Sequence, residues 1–248
     1  MKNFKKLVKT LAVSTIGLGV ATASISEAQA ASLAPTQEGE IELTNLGCLT
    51  GDCIDTTTLP FAYEVESLEY DDNFDASRLF ADRRDTDNDY GFGIQFLGDD
   101  EGTNTESGIW FRPVAFQDGA AVEGDGGLEV GRFKFDFLGK TAKEVKLDFF
   151  DVEDSGVTGI LEINGVAVNF DELLLEGGED SNTQTLVLKD VSSFVVQLGN
   201  VNSSQFATGD GVNLAVSVPE SETSIALSLV AVAGVLTLKR RKKASHKA

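Results

Sequence analysis

Histidine is all but missing. The 248-residue chain has one, His246, near its end. The rest of the chain therefore cannot build a Ser–His or Cys–His nucleophilic pair or a histidine-ligated metal site. Tryptophan is equally rare, with Trp110 alone, whereas sugar sites usually use more aromatic platforms. Cys48 and Cys53 are the only thiols. Four residues separate them, which is not the C-x-x-C of a redox pair, and two cysteines alone do not make a zinc site. Despite 25 glycines no glycine-rich phosphate loop is present, which removes nucleotide enzymes from consideration. The two apolar runs, one near each end, are both shorter than the ~20 residues of a full membrane span.

Positive charge is scarce too, and half of it lies at the two ends. Between Ala31 and Ser217 there are 10 Lys and Arg against 37 Asp and Glu, a formal net charge of −27. Such a surface repels nucleic acid and anionic membranes, so no nucleic-acid role is expected. It suits solubility, cation binding and an extracellular setting.

The ends explain themselves by their order of parts. Lys2, Lys5, Lys6 and Lys9 precede the apolar run Leu11–Ala23, and Ala28-Gln29-Ala30 follows. A basic start, a short apolar stretch and an A-x-A ending are the parts of a secretory signal peptide, here residues 1–30, cut after Ala30. In an exported chain Cys48 and Cys53 read as a disulfide. At the other end Val218-Pro219-Glu220 leads into the apolar run Ser224–Leu238 and then Lys239-Arg240-Arg241-Lys242-Lys243, with a basic tail over 244–248. Fifteen helical residues span about 22 Å, short of the ~30 Å hydrocarbon core unless lysine and arginine stems snorkel. The basic cluster stays cytoplasmic and leaves the acidic body on the far side. Residues 31–217 then form one exported domain and 218–243 an anchor or sorting segment with a single hydrophobic helix.

Within the body the densest signal is Leu128–Gly156. Phe133, Phe135 and Phe137 alternate with Arg132, Lys134 and Asp136; Val145, Leu147 and Phe149 alternate with Glu144, Lys146 and Asp148. Period-two alternation predicts two strands, and the turn Gly139–Ala142 predicts that they neighbour each other in one antiparallel sheet. Asn164-Gly165 predicts a two-residue hairpin. Asp71–Tyr90, dense in Asp, Asn and Arg, reads as a long loop with a helical turn around Ala76–Ala81. About ten short strands with turn signals between them predict an all-β fold, an antiparallel β-sandwich of jelly-roll type, with a closed barrel as the alternative.

Three acidic clusters are candidates for calcium, which takes hard oxygen ligands. In the first, Asp85, Asp87 and Asp89 occupy positions 1, 3 and 5 of a loop like that of an EF-hand, but Tyr90 stands at the glycine position and Phe96 at the position of the bidentate glutamate. In the second, Asp151, Glu153 and Asp154 follow directly on a core strand. Asp99, Asp100 and Glu101 make the third. Carboxylate-only hydrolysis needs a pair roughly 5–10 Å apart, a condition that 37 acids meet by chance.

The order V-P-E, short apolar run and terminal Arg/Lys cluster over Val218–Lys243 resembles the PEP-CTERM sorting signal of Gram-negative bacteria. Ser221 stands where the second proline is usual. Leu128-Glu129-Val130-Gly131, followed by the Phe-rich strands and Phe149-Phe150-Asp151-Val152-Glu153, looks like the LEVG-type PEP-CTERM proteins of cyanobacteria. The resemblance implies processing by an exosortase-like membrane enzyme, passage to the cell surface or exopolysaccharide matrix, and a non-catalytic body. A calcium-dependent glycan-binding module is the alternative, and a secreted glycoside hydrolase a more distant one.

Overall fold

Phe133 and Phe135 are fully buried, while Arg132, Lys134 and Asp136 between them stay partly in solvent. Val145, Leu147 and Phe149 are buried in the same way. Each run is thus a strand with one buried face, as the alternation requires. The computed structural model of the protein describes residues 30–49, 51–70, 74–83, 86–97, 108–122, 129–169, 172–202 and 211–219. Among them the strands are, in chain order, β1 (Ala30–Ser32), β2 (Gly39–Glu40), β3 (Glu64–Leu68), β4 (Asp75–Arg83), β5 (Asn88–Gly91), β6 (Ile94–Phe96), β7 (Ile109–Gln117), β8 (Ala120–Ala121), β9 (Gly131–Asp136), β10 (Ala142–Phe150), β11 (Gly159–Ile163), β12 (Val166–Ala167), β13 (Thr183–Val191), β14 (Ser193–Leu198) and β15 (Asn213–Pro219). The only helical element among these residues is one 3-10 turn, Thr56–Thr58.

The strands form two antiparallel sheets packed face to face. The larger runs β13-β10-β15-β7-β4-β2, with β1 on β15 and β8 on β7; the smaller runs β12-β11-β14-β9-β3; a separate hairpin joins β5 to β6. The fold is therefore all-β and sandwich-like. Between the sheets lie Leu79, Ala81, Phe111, Leu147, Phe149, Leu214 and Val216 from one side and Val65, Phe133, Phe135, Ile160, Phe194 and Val196 from the other. Phe135 stacks on Phe194 with ring centroids 4.9 Å apart and meets Phe111 of the opposite sheet edge-on at 5.6 Å.

Two sequence expectations are corrected. β9 and β10 are not neighbours: β9 pairs with β14 and β3 in the smaller sheet, and β10 with β13 and β15 in the larger. Alternation reports that one face is buried but not which strand lies alongside. Leu138 and Gly139 both take positive φ, and Lys140 N–H bonds back to Phe137 C=O, so a tight turn does form. It carries the chain from one sheet to the other, because Phe137 N–H goes to Ser192 C=O instead of across a hairpin. Ser192 is the corner of a second arch, from β13 up to β14, that runs beside the first.

The second correction is β4. The stretch expected as a loop with a helical turn is a nine-residue strand, paired with β7 from Asp75 to Arg83. Its outward residues Phe80 and Asp82 are as buried as its inward Leu79 and Ala81. The outer face of the sheet is covered there, so the strand shows no clean alternation.

The Asn164-Gly165 hairpin forms as expected, both residues at positive φ, between β11 and a β12 of only two residues. Asn164 also ties the arch down: its Oδ1 accepts from Ser192 and Ser193 N–H, and its Nδ2 donates to Asp190 C=O. The chain ends of the described body meet at one place. β1 pairs with the end of β15, Ala30 opposite Pro219 and Ala31 opposite Val218. Leu33 N–H bonds Val216 C=O, so alternation along the ladder puts Pro219 at a position where no N–H is needed.

Candidate functional site

β10 ends at Phe150 and the chain turns sharply at Asp151, whose φ is 66°. A second loop, running up to β13, comes alongside. Asp151 N–H donates to Asn182 C=O at 2.8 Å, Gly178 N–H to Val152 C=O at 2.8 Å, and Asn182 Nδ2 to Val152 C=O at 2.7 Å. Ser181 N–H donates to Asp151 Oδ1 at 2.8 Å. A glycine is required at 177, where a Cβ would stand 2.2 Å from the Glu153 carbonyl oxygen. The zipped loops bring one carboxylate oxygen each of Asp151, Glu153 and Asp180 within 4.8 Å of one another. Hard oxygens from two loops at a strand end are the donor type that suits Ca²⁺. Asp154, expected beside the first two, accepts instead from Asn200 Nδ2 at 2.9 Å. Asp180 takes the third place, 29 residues downstream of Asp151, beyond any local pattern.

The other cluster in the described region is used differently. Asp85 lies outside the described residues, as do Asp99, Asp100 and Glu101. Asp89 Oδ1 accepts from the N–H of Gly91 and so closes its own turn. Neither Asp87 nor Asp89 belongs to the carboxylate group at Asp151. The residue between them, Asn88, points inward: its Nδ2 donates to Glu38 Oε1 at 2.9 Å and to Asp82 Oδ1 at 2.8 Å.

This is the edge of a buried ionic cluster that local sequence patterns do not reveal. Arg112, on the outer face of β7, is fully buried. Its Nη1 donates to Asp82 Oδ2 at 3.1 Å, its Nε and Nη2 donate to Glu129 Oε1, and its guanidinium carbon lies 4.1 Å from the Phe96 ring centroid. Tyr90 hydroxyl donates to Asp82 Oδ1 at 3.1 Å. Around it Phe80, Ile94, Phe96, Val114 and Phe116 make a second apolar core under the β5–β6 hairpin. Burial pushes the Asp82 carboxyl above its ordinary pKa, outweighing the Arg112 charge and the hydrogen bonds that pull it down. Burial and then the Asp82 charge raise the Tyr90 phenol. At the half-buried rim, burial works to raise Glu38, but hydrogen bonds from Thr86, Asn88 and the Arg83 backbone, with the Arg83 charge, bring it below the usual carboxylate value.

The Leu128–Gly131 stretch has structural roles where it is described. Glu129 neutralises Arg112, Val130 is fully buried, and a Cβ on Gly131 would lie 2.5 Å from the Phe133 ring. Leu128 is outside the described residues.

Cys48 and Cys53 are joined, with their Cα atoms 5.8 Å apart. The bridged loop is held to the sheet by Glu40, which accepts from Leu49 N–H at 2.7 Å and pairs with Arg78. Val218, buried, and Pro219 belong to β15. Ala30 belongs to β1. Ala28, Glu220 and Lys239–Lys243 lie outside the described residues. No described helix is long and apolar enough to cross a membrane.

What fold and clusters define together is an acidic, antiparallel sandwich-like β-protein with, among the described residues, one convergent carboxylate group and one buried arginine cluster. Compared with family profiles, curated proteins and solved structures, the chain matches none.

Proposed function

We propose that the chain is an exported, non-catalytic protein of the cell surface or exopolysaccharide matrix, sorted through its C-terminal segment. In this reading residues 1–30 are a signal peptide and 218–243 a PEP-CTERM-like signal with one hydrophobic helix, which passes transiently through the inner membrane and is processed by an exosortase-like enzyme. The body is a jelly-roll-like sandwich. The observation that carries the reading is the order of parts in the chain. Lys2–Lys9, Leu11–Ala23 and Ala28-Gln29-Ala30 precede the acidic residues 31–217, and Val218-Pro219-Glu220, Ser224–Leu238 and Lys239–Lys243 follow them. The experiment is intact-mass analysis of the protein recovered from the surface and medium of cells that make the full chain. A start at Ala31 together with loss of Lys239–Ala248 is expected. An unprocessed chain, Met1 to Ala248, confined to the cytoplasm would end the proposal.

A second reading, a calcium-dependent glycan-binding module, is favoured by the convergence of Asp151, Glu153 and Asp180. Calorimetry with Ca²⁺ on wild-type protein and on Asp180→Asn, followed by a glycan array with and without Ca²⁺, tests it. Heat of binding that Asp180→Asn abolishes is expected, and identical titrations of the two proteins would remove it.

A further inference from the structure

The register of the sheets gathers several unrelated features at one end of the sandwich. Pro219 is opposite Ala30, and β15 runs antiparallel to β10 with Ser217 opposite Lys146, so both chain exits lie level with the start of β10. The turn before β10 carries Leu138, and the corner of the β13–β14 arch stands beside it. The Asn164-Gly165 turn is tied to that corner and places Val166 at the same end. Leu138 is 41% exposed and Val166 68% exposed. Two of the five large apolar side chains that the described body leaves in solvent are therefore on adjoining turns at the end where the chain leaves.

Charge is less one-sided here than over the body as a whole, which is strongly acidic and repelled by anionic lipid. Lys140, Lys143, Lys146 and Lys189, four of its ten cations, lie in or beside this end. Lys189 is paired with Glu144 and Lys146 with Asp148, while Lys140, over the Phe61 ring, and Lys143 are exposed. Against these two stand Asp136, which accepts from Leu138 N–H, Glu64 opposite it, and the exposed Asp190.

The lengths agree as well. The turn lies a few residues beyond the level of Pro219, about 7–10 Å at the strand rise per residue. The apolar run begins at Ser224, and five residues of extended chain reach at most about 17 Å. A bilayer holding Ser224–Leu238 would thus lie within reach of both turns.

We propose that this end of the sandwich is a membrane-facing surface, on which Leu138 and Val166 enter the headgroup layer and Lys140 and Lys143 meet lipid phosphate. Apolar tips with lysines beside them are the chemistry of interfacial contact, with the apolar part entering the boundary and the cations held by anionic lipid. The inference rests on the reading of the C-terminal segment as a membrane anchor and adds to it which side of the body meets the bilayer.

The test is tryptophan fluorescence of the full chain reconstituted in phosphatidylcholine–phosphatidylglycerol vesicles with brominated acyl chains. Three probes are compared: Leu138→Trp, Val166→Trp and Asp118→Trp, the last on the turn between β7 and β8 at the far end of the sheet. Quenching at both tips roughly twofold or more above that at Asp118→Trp is expected, and Lys140→Glu with Lys143→Glu should reduce it in the anionic vesicles. A chain that resists alkaline extraction but whose two tip probes are quenched no more than the Asp118→Trp probe overturns the membrane-facing surface while leaving the anchor intact. A chain that washes off overturns both.

Discussion

The protein has two cores built on opposite principles. Between the sheets, phenylalanines stack on one another with scarcely a polar atom among them, and stability comes from area removed from water. On the outer face of the larger sheet, the core under the β5–β6 hairpin is organised around a buried cation held by two carboxylates and an aromatic face. Volume matters most in the first. In the second, compensation matters most, because each charge is tolerable only while its partners are present.

The largest effect is therefore expected from Arg112→Ala. It leaves Asp82 and Glu129 uncompensated in the interior and is expected to cost about 5 kcal/mol, at the upper end of the range for breaking a buried pair. That is comparable with the whole stability of many domains. Denaturant unfolding followed through Trp110, itself buried on the same face, measures it. Replacing Arg112, Asp82 and Glu129 together by apolar residues of similar volume should recover most of the loss. Equal costs for the single and triple variants would erase the distinction between the cores.

Phe135→Ala comes next, at about 3–4 kcal/mol, from lost transfer free energy and the cavity left among Tyr63, Phe111 and Phe194. Here the milder change Phe135→Leu should cost under about 1.5 kcal/mol. A conservative swap is thus tolerated in the inner core, whereas Arg112→Lys, which loses the two-donor grip of Nε and Nη2 on Glu129 Oε1, should remain costly.

The smaller sheet approaches the larger closely at Gly131 of β9, which lies against the Phe133 ring and Ser77 of β4. Gly131→Ala would press a methyl group to 2.5 Å from that ring and 3.0 Å from Ser77 Cβ. Overpacking of this kind is expected to cost about 2 kcal/mol. Thermal unfolding of the variant reads the size. A neutral result would mean that Phe133 can move aside, and the inner core would then be looser than its stacking suggests.

The contrast also explains what could be read from the sequence. Phe133, Phe135, Phe137, Val145, Leu147 and Phe149 announce the inner core because burial on one face leaves a local period of two. The same period cannot say that β9 and β10 lie in different sheets, since a turn that closes a hairpin and one that crosses between sheets both need residues at positive φ. β4 was obscured because Phe80 and Asp82 are covered from outside, so the alternation is lost. Arg112 finds Asp82 and Glu129 at separations of 30 and 17 residues, and Asp151 finds Asp180 at 29. Nothing in a window of ten residues marks such pairs, and the many acids of the chain hide the few that converge. Asn164-Gly165 was legible because its chemistry is local: two residues at positive φ, one of them glycine.

The smallest effect separates the cores by pH. Among the described residues the inner core has no carboxylate, so its contribution is flat across the acid range. The outer one carries two opposed dependences. Glu38 lies below its ordinary pKa in the folded protein, so its contribution is present above the unfolded value of about 4.3 and is lost as pH falls through the folded value. Asp82 lies above its ordinary pKa, so its contribution is fully present below the unfolded value of about 3.9 and is lost as pH rises through the folded one. Glu38→Gln should therefore flatten the acid side of the stability profile and lower stability near neutrality, where the charged carboxylate accepts its hydrogen bonds. Denaturation midpoints taken between pH 3 and 7 on wild type and Glu38→Gln measure the difference. Parallel profiles would show that Glu38 is screened by solvent, and that the ionic core ends at Asn88 instead of at the rim of the hairpin.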